Sequence, residues 1–253
     1  MVAPLKISVV MVCFNSARMI SAAVRSFLDQ KHDNKELLVV DGLSNDDTLD
    51  VLRSFPQETI RILSEKDHGI YDAMNKGLRD FSGDAVGFLN SDDEFYDGDV
   101  LSRIAGALEK TDAAYGDLNM VDAGNRTIIR RIWKAGRFSP GAFRRGWMPP
   151  HPTFYVRRRL VESVGTFRTD LRISADYDFM LRALEIQKPR VSYIPHTLIN
   201  FTIGGKSTEN LRAVINGNLE CLQSRREHLG AGILDLALFL KPARKILQLR
   251  SPK

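Results

Sequence analysis

The stretch AVGFLNSDD, residues 85–93, joins a short apolar run to a pair of adjacent carboxylates, Asp92 and Asp93. The apolar part is typical of a buried strand, and open α/β sheets bind ligands just beyond the carboxyl ends of their strands. Two neighbouring carboxylates repel each other in a confined site unless a cation or a proton relieves the repulsion. Hard divalent ions such as Mg²⁺ or Mn²⁺ prefer oxygen ligands and usually bring phosphate with them. The stretch therefore predicts a strand that ends at a site for a metal ion and a phosphate group.

Three earlier segments repeat this pattern of an apolar strand followed by polar residues. Residues 7–13, 36–40 and 60–63 are strand-like, and each leads through polar residues into a helical pattern of apolar residues. Four βα units in about ninety residues predict a parallel sheet with right-handed crossovers. The side chains expected at one edge of this sheet are Asn15, Asp41, Asp67, Asp92 and Asp93. Any one of them alone could be a turn or capping residue, but together they predict a polar crevice.

Length and composition agree with an enzyme-sized domain. The chain has 253 residues, of which 43% are hydrophobic and 26% charged, enough for one large domain or one domain with an extension. No apolar run is long enough to cross a membrane. The apolar run after Lys6 lacks a clear cleavage site, so we interpret it as a strand and not as a signal peptide. Cys13 and Cys221 are too few for a disulfide framework, which favours a reducing cytoplasm.

Several common motifs are missing, and this narrows the choice of ligand. No Gly-x-Gly-x-x-Gly follows the first strand, which disfavours a dinucleotide cofactor. The run GKS at residues 205–207 resembles the end of a phosphate-binding loop, but Asn200 stands where that loop needs glycine. No cysteine and histidine cluster has zinc spacing, and no Gly-x-Ser-x-Gly turn indicates a serine hydrolase.

Four motifs carry a resemblance to a known family. They are SVVMVCFN at residues 8–15, VVDGLSNDDT at 39–48, EKDHGIYDAMNKG at 65–77 and FLNSDD at 88–93. In order, spacing and content they resemble a family 2 glycosyltransferase, and the resemblance continues more loosely through residues 148–154 and 173–179. Within that family the chain looks most similar to bacterial enzymes that build exopolysaccharide or O-antigen repeat units.

The resemblance implies a fold and a domain organisation. The fold would be α/β of the GT-A type, which binds nucleotide-diphospho-sugars, with a mixed, mainly parallel sheet flanked by helices. This glycosyltransferase domain would span residues 1–208. Residues 209–253 would then form a C-terminal helical, basic and amphipathic extension.

The resemblance also implies roles at the nucleoside end of the site. Phe14 and Asn15 would border the nucleoside pocket. Asp41 would accept a hydrogen bond from a uracil ring. Lys66 and Asp67 would lie beside the base and the ribose.

Three carboxylates would carry the chemistry that the resemblance implies. Asp93, with Asp92 beside it, would bind Mn²⁺ or Mg²⁺ bridging the donor diphosphate, because displacement of a nucleoside diphosphate leaves negative charge on phosphate oxygen. Asp176 would be the general base that takes a proton from the attacking hydroxyl. One displacement on the face opposite the leaving group inverts the anomeric centre. This chain has Ala175 where many relatives carry Glu, and an Asp at the start of a helix is also an ordinary N-cap; both readings of Asp176 stay open.

Further side chains are weaker candidates. His151 lies between two prolines in a stiff loop and could contact donor or acceptor, although a lone loop histidine is more often structural. His196 is a candidate third metal ligand. Trp147 could stack on a sugar ring or simply pack in the core. The turn GGKS at residues 204–207 could close over a diphosphate or be a plain loop.

Basic segments suggest how an acceptor is reached. The basic stretch combines cations with aromatic residues between positions 130 and 145: Arg130, Arg131, Lys134, Arg137, Arg144 and Arg145. It is either a solvated face or a surface for lipid phosphate, with nucleic acid a distant third. Residues 233–249 alternate leucines with cations, as in a basic amphipathic helix on an anionic membrane. Packing on the domain or at a homodimer contact explains the same pattern.

The sequence therefore predicts an inverting, metal-dependent glycosyltransferase peripheral to the inner face of the plasma membrane. It would move a sugar from a nucleotide donor, UDP-linked in the first instance, to a lipid-linked saccharide in surface polysaccharide synthesis. A polyprenyl-phosphate glycosyltransferase and a non-catalytic nucleotide-sugar binding protein are the alternatives. A glycoside hydrolase is disfavoured because its two acids must flank the scissile bond, whereas Asp92 and Asp93 are neighbours.

Overall fold

The computed structural model describes residues 4–203 and 211–232. Its first half is a four-stranded parallel sheet in the order β3, β2, β1, β4. These strands are β1 (Ile7–Cys13), β2 (Lys35–Asp41), β3 (Ile60–Ser64) and β4 (Ala85–Phe88). β1 and β2 are almost entirely buried, as expected of parallel strands covered on both faces. The predicted βα repeat is confirmed.

Helices cover the two faces of this sheet. They are α1 (Ile20–Leu28), α2 (Thr48–Arg53) and α3 (Ile70–Asp80). The apolar stripe of α1 packs with one face of β1, and the stripe of α3 packs with the other face. A Cβ at Gly77 would lie 2.3 Å from Cγ1 of Val10, so α3 approaches β1 as closely as it does because that position is glycine.

The second half extends the same sheet with strands of both directions. It contains β5 (Glu94–Phe95), α4 (Val100–Leu108), β6 (Ala113–Val121), β7 (Ile129–Trp133), β8 (Tyr155–Arg157), α5 (Arg158–Val164), α6 (Ala175–Leu181), β9 (Val191–Thr202) and α7 (Leu211–Leu229). The sheet continues from β4 through β8, β6 and β9 to β5, and β7 also pairs with β6. β9 is parallel to β6, whereas β5, β7 and β8 run antiparallel to their neighbours. The predicted mixed α/β sheet is confirmed.

The C-terminal part of the chain begins with α7, which packs against α6. Cys221 and Leu222 of α7 are buried. The predicted boundary near residue 208 stays a prediction, and the turn at 204–207 and the amphipathic segment at 233–249 lie outside the described residues. Among the helices of the described part, none combines the length and apolarity that a membrane crossing requires.

Candidate active site

The carboxyl ends of the parallel strands meet at one edge of the sheet. Cys13 is paired in register with Asp41, and Asp41 is paired with Ser64. The segments that leave this edge carry Phe14, Lys66 and Asp67. The structure therefore brings these predicted residues to one place.

Asp41 lies below the surface of this edge. Its side chain is fully buried, and its carboxylate accepts hydrogen bonds from the Ser44 backbone N–H at 3.1 Å, from Ser64 Oγ at 2.7 Å and from Ser44 Oγ. The thiol of Cys13 lies 3.7 Å from Oδ1 of Asp41, the oxygen that also accepts from Ser44 Oγ. The hydrogen bond from uracil to Asp41 stays a prediction, and in this structure the Asp41 carboxylate joins β1, β2 and β3.

The thiol of Cys13 stays protonated and unreactive in this position. Burial raises its pKa far above the ordinary value, and the negative charge of Asp41 raises it further. Since only the thiolate is a nucleophile, Cys13 is a structural residue and not a catalytic one.

Phe14 and Asp67 form the exposed mouth above Asp41. The Phe14 ring is 59% exposed, which is unusual for a large apolar side chain at the end of a core strand. A Cβ built on Gly42 would lie 2.3 Å from Oδ2 of Asp67 and 3.5 Å from Cδ2 of Phe14. The two side chains therefore flank the bare backbone of Gly42, while Lys66 is exposed beside them. Sequence reasoning missed Gly42, although its place directly after the strand was visible.

Asn15 shapes this mouth from within. Its backbone is left-handed, with φ of 51°, its N–H donates to Ser44 Oγ at 2.8 Å and its Oδ1 accepts from the Asn45 N–H at 2.9 Å. Asparagine tolerates this conformation better than most residues. Its contacts therefore fix the loop after β1 against the loop after β2.

Asp93 is the fully buried member of the carboxylate pair. Its Oδ1 accepts from the Thr202 N–H at 2.9 Å, and its Oδ2 accepts from Asn90 Nδ2 at 2.8 Å. Burial raises the pKa of Asp93 well above its ordinary value, and the neighbouring charge of Asp92 raises it further. Thr202, which sequence reasoning missed, comes from the far end of the chain and fixes this carboxylate.

Asp92 is the half-buried member of the pair. Burial raises its pKa, and the positive charge of Arg126 partly opposes that shift. Its carbonyl oxygen accepts from Thr202 Oγ1 at 2.5 Å, and Arg126 forms an ion pair with Glu94. Asp92 therefore presents its carboxylate at the edge of the sheet while its backbone is fixed.

The carboxylate pair fits a hard divalent cation carried with a diphosphate. Both side chains supply only oxygen, and a positive charge would offset the repulsion that raises the pKa of Asp93. No group of three or more histidine, cysteine or acidic side chains that could hold an ion alone occurs within residues 4–203 and 211–232. Mg²⁺-type ions are commonly held by one or two carboxylates together with substrate phosphates and water. The pair thus suits an ion that arrives with its ligand.

His196 does not join this pair. It lies within β9, six residues before Thr202, and belongs to no group of three or more possible metal ligands in the part of the chain that the structure describes. Its exposed side chain lines a groove of about 420 Å³ together with Tyr96 and Lys134. The structure therefore does not place His196 where it could bind the same ion as Asp93.

Asp176 lies in the first turn of α6. The N-cap of this helix is Ser174, so the alternative that Asp176 is an N-cap is wrong. Oδ1 of Asp176 lies 3.4 Å from the hydroxyl of Tyr71, and that hydroxyl donates to the carbonyl of Ile173 at 2.6 Å. Burial and the charge of Asp176 raise the pKa of Tyr71, so the phenol stays protonated.

His151 links Asp176 to the end of β4. Its ring stacks on Phe88, the last residue of β4, with centroids 5.5 Å apart, and meets Phe167 edge to face. Both ring nitrogens are shielded from solvent and have no hydrogen-bond partner among the described residues. Burial lowers the pKa of His151, and the negative charge of Asp176 opposes that shift. A neutral imidazole thus lies within electrostatic reach of Asp176.

The side chains of Asp178 and Trp147 are structural. Asp178 is fully buried, where it accepts from Arg182 Nε at 2.8 Å and contacts His228 Nε2 at 3.0 Å. Trp147 is only 8% exposed and its Nε1 donates to the Ala135 carbonyl at 2.7 Å. Since the ring of Trp147 packs among other aromatic rings, it is not available to stack on a sugar.

Several cations of the basic stretch make contacts within the protein. Arg130 pairs with Asp122 at 2.7 Å, Arg145 donates to Ser139 Oγ at 2.9 Å, and Arg144 donates to the carbonyl of Leu229. Lys134 stays exposed at the groove that contains His196. The stretch therefore has both structural and solvent-facing cations.

Comparisons with known proteins agree with this geometry. The family model described as glycosyl transferase family 2 matches residues 8–167. A PGL/p-HBAD biosynthesis glycosyltransferase of Mycobacterium bovis is 34% identical over 188 residues, which are 72% of this chain and 70% of that protein. An uncharacterized glycosyltransferase of Nostoc is 27% identical over 63% of this chain and 53% of its own length.

Solved structures share the fold. Residues 1–349 of TarS from Staphylococcus aureus, in complex with UDP-GlcNAc, superpose with a TM-score of 0.65 at 17% identity, over 88% of this chain and 73% of that one. A mannosyltransferase of Pyrobaculum calidifontis, in complex with GDP-Man and Mn²⁺, gives a TM-score of 0.66 at 18% identity, over 97% and 70%. These likenesses confirm the predicted GT-A architecture.

Proposed function

Because this chain belongs to glycosyltransferase family 2, we propose that it transfers a sugar from a UDP-linked donor to a lipid-linked saccharide, with inversion and with a divalent cation. The observation that carries this proposal is the convergence of two acidic sites. Asp92 and Asp93 follow β4, and Asp176 lies near the end of the same strand through His151 and Phe88. Donor phosphate and acceptor hydroxyl can therefore meet at one edge of the sheet.

The mouth at Phe14 and Asp67 is the proposed nucleoside site. An exposed aromatic ring offers a face on which a base can stack, and stacking of this kind does not depend on the identity of the base. The Asp67 carboxylate can accept from a base N–H or a ribose hydroxyl, while the bare backbone of Gly42 lets the ligand approach. Lys66 adds a positive charge at the same rim. Asp41 supports this floor from below.

Asp92 and Asp93 would hold Mn²⁺ or Mg²⁺ against the donor diphosphate. Such an ion neutralises the charge that develops on the leaving phosphate. Thr202 and Asn90 keep Asp93 in one orientation, so the pair is arranged before the donor arrives. Preorganised charges of this kind need no rearrangement during the reaction.

Asp176 would take the proton from the attacking hydroxyl. Tyr71 contacts one oxygen of Asp176 and so restricts its orientation. The hydroxyl oxygen forms the new glycosidic bond on the face opposite the leaving diphosphate, which inverts the anomeric centre. A shift of the loop that exposes one of the two unpartnered ring nitrogens of His151 would let the neutral imidazole contact the donor or the acceptor.

Composition supports a lipid-linked acceptor at the cytoplasmic face of a membrane. The chain carries a formal charge of +5, and the exposed part of the basic stretch suits anionic lipid phosphate. The name of the Mycobacterium bovis relative refers to biosynthesis of PGL and p-HBAD, and we propose that the acceptor here belongs to a comparable cell-envelope pathway. Surface polysaccharide assembly is our first choice.

The test combines donor binding with turnover. Thermal unfolding is measured with UDP-, GDP- and dTDP-sugars, with and without Mn²⁺, because a ligand that binds only the folded state raises its stability. Release of UDP is then followed with a polyprenyl-diphosphate-linked monosaccharide as acceptor. We expect a cation-dependent shift with a UDP-sugar and acceptor-stimulated release. Equal release without acceptor would indicate hydrolysis, and no shift with any sugar nucleotide would overturn the proposal.

A further inference from the structure

Residues 172–174 lead into α6, the helix that carries the proposed general base Asp176. One side chain from α7 binds this segment. The carboxylate of Glu220 accepts from the backbone N–H groups of Arg172 at 3.0 Å, Ile173 at 2.9 Å and Ser174 at 2.7 Å. Three consecutive amides that donate to one carboxylate define the local path of the chain. Charge-assisted hydrogen bonds of this type are stronger than neutral ones. Asp176 follows two residues later.

A second contact from α7 reaches the same segment. Ser174, the N-cap of α6, donates its hydroxyl to the carbonyl of Gly217 at 3.0 Å and makes no side-chain hydrogen bond to its own helix. A Cβ on Gly217 would lie 3.1 Å from Cγ2 of Ile173 and 3.3 Å from Ser174 Oγ. The backbone of α7 therefore lies directly against the residues that precede Asp176.

The opposite side of the segment is held by α3. Tyr71 donates its hydroxyl to the carbonyl of Ile173 and also contacts Asp176. The amide of Ile173 thus donates to Glu220 while its carbonyl accepts from Tyr71. α3 begins directly beyond the loop that carries Asp67. The contact of Tyr71 therefore joins the side of the site that contains Asp176 to the proposed nucleoside side.

We propose that Glu220 is the positioning residue for Asp176. It acts through the backbone of residues 172–174 and touches neither substrate nor the reacting atoms. This inference rests on the proposed function, in which Asp176 is the base. A base displaced by about 1 Å loses on the order of 10²-fold in rate, although the donor still binds.

The main test compares variants of two glutamates on the same helix. Glu220→Ala removes all three acceptor contacts, Glu220→Gln keeps one carbonyl oxygen as acceptor, and Glu227→Ala removes an exposed ion pair with Arg168 as the control. We expect kcat to fall by on the order of 10²-fold in Glu220→Ala and by less in Glu220→Gln, with unchanged Kd for UDP-N-acetylglucosamine and Mn²⁺. Glu227→Ala should keep the kcat of the parent protein.

Hydrogen exchange tests whether Glu220 holds the backbone of residues 172–174, and this measurement does not require turnover. The amides of residues 172–174 should exchange about tenfold faster or more in Glu220→Ala and at the parent rate in Glu227→Ala. Unchanged exchange would show that Glu220 does not hold the segment. Faster exchange with an unchanged kcat would show that the segment is held but that Asp176 does not depend on it. Either result overturns the inference.

Gly217→Ala covers the case in which Glu220→Ala fails to fold. Alanine favours a helix interior over glycine, so this variant should unfold at the parent temperature or above. Its new methyl group presses on Ile173 and Ser174, so kcat should fall several-fold. A change in stability and activity in the same direction would contradict positioning. If the parent protein turns over no sugar nucleotide, the proposed function is wrong and this inference fails with it. The exchange result would still show whether Glu220 holds residues 172–174.

Discussion

The proposed nucleoside side of the site, around Asp41, and the side that contains the proposed general base, Asp176, differ in how far apart in the sequence their contacting residues lie. Asp41 is held by Ser44, Ser64 and Cys13, which are 3, 23 and 28 residues away in the chain. Asp176 contacts Tyr71 across 105 residues, and its approach segment reaches Glu220 across 46. The first arrangement follows from consecutive βα units that share one sheet edge. The second exists only after α3 and α7 have docked on the same loop.

The largest expected effect separates the two sides. Asp176→Asn keeps the size of the side chain but removes the proton acceptor, so kcat should fall by about 10²–10⁴-fold. Donor affinity should be unchanged because the nucleoside side is untouched. Single-turnover kinetics and donor titration measure the two effects separately. A parallel loss of donor affinity would show that the two sides are not independent.

The next effect concerns the carboxylate pair between the two sides. Asp92→Asn should lower turnover on the order of 10²-fold, because a ligand of the proposed ion is lost. The pKa of Asp93 is raised mainly by burial and further by the charge of Asp92, and the same change removes that second contribution. Without cation, the variant should therefore be more stable than the parent by about 1 kcal/mol, or roughly 2–4 °C in Tm. Lower stability together with lower activity would indicate a structural role for Asp92.

The pair also predicts how pH affects stability. Because the pKa of Asp93 is raised on folding, the folded protein binds this proton more tightly than the unfolded chain does. Its contribution to the free energy of unfolding therefore increases as the pH falls through the folded pKa toward the ordinary value. Proton and cation compete, so the Tm gain from Mn²⁺ should shrink between about pH 7.5 and about pH 5. A constant gain across that range would argue against Asp93 as a ligand.

A smaller effect is expected on the nucleoside side alone. Phe14→Ala removes the exposed ring and should weaken donor binding about tenfold, since base stacking on an aromatic ring contributes roughly 1–3 kcal/mol. Phe14→Tyr should retain the affinity, and Ile186→Ala, which removes another exposed apolar side chain, should leave it unchanged. Isothermal titration with a UDP-sugar makes the comparison. Equal affinity in Phe14→Ala would remove this ring from the proposed pocket.

The smallest effect is expected in the aromatic core of the second half. Trp147→Phe keeps an aromatic ring but loses the hydrogen bond to Ala135, at a cost of about 1 kcal/mol in the free energy of unfolding. The acceptor KM should stay within about twofold because the ring is buried. A large rise in acceptor KM with little loss of stability would restore Trp147 as a sugar-stacking residue.

These contrasts explain what the sequence could predict. The four parallel strands, the motif after each and the polar edge were predictable, because apolar periodicity and turn residues are local signals. The antiparallel additions β5, β7 and β8 were not predicted, since all three are short, and β5 and β8 also take partners from distant parts of the chain. Whether a motif residue is exposed could not be read from its position either. Asp41 and Phe14 occupy comparable strand ends, yet one is fully buried and the other is the exposed ring of the mouth.

The surroundings of Asp176 were even less predictable from the sequence. Asp176 was identified through a resemblance, but neither Glu220 nor Gly217 stands in a motif that resembles catalytic machinery. Their importance comes from the contact of α7 with residues 172–174, which depends on tertiary docking. His196 was wrongly grouped with Asp93 because spacing in the chain does not reveal how far along a strand a side chain lies.

The inert thiol of Cys13 gives this protein an internal chemical sensor. An alkylating reagent should leave it unmodified for as long as β1 and β2 stay joined at Asp41, and should label it when that edge opens. The labelling rate would therefore report how often this edge of the sheet opens, without any substrate. A tightly bound sugar nucleotide should lower the rate at which Cys13 is labelled.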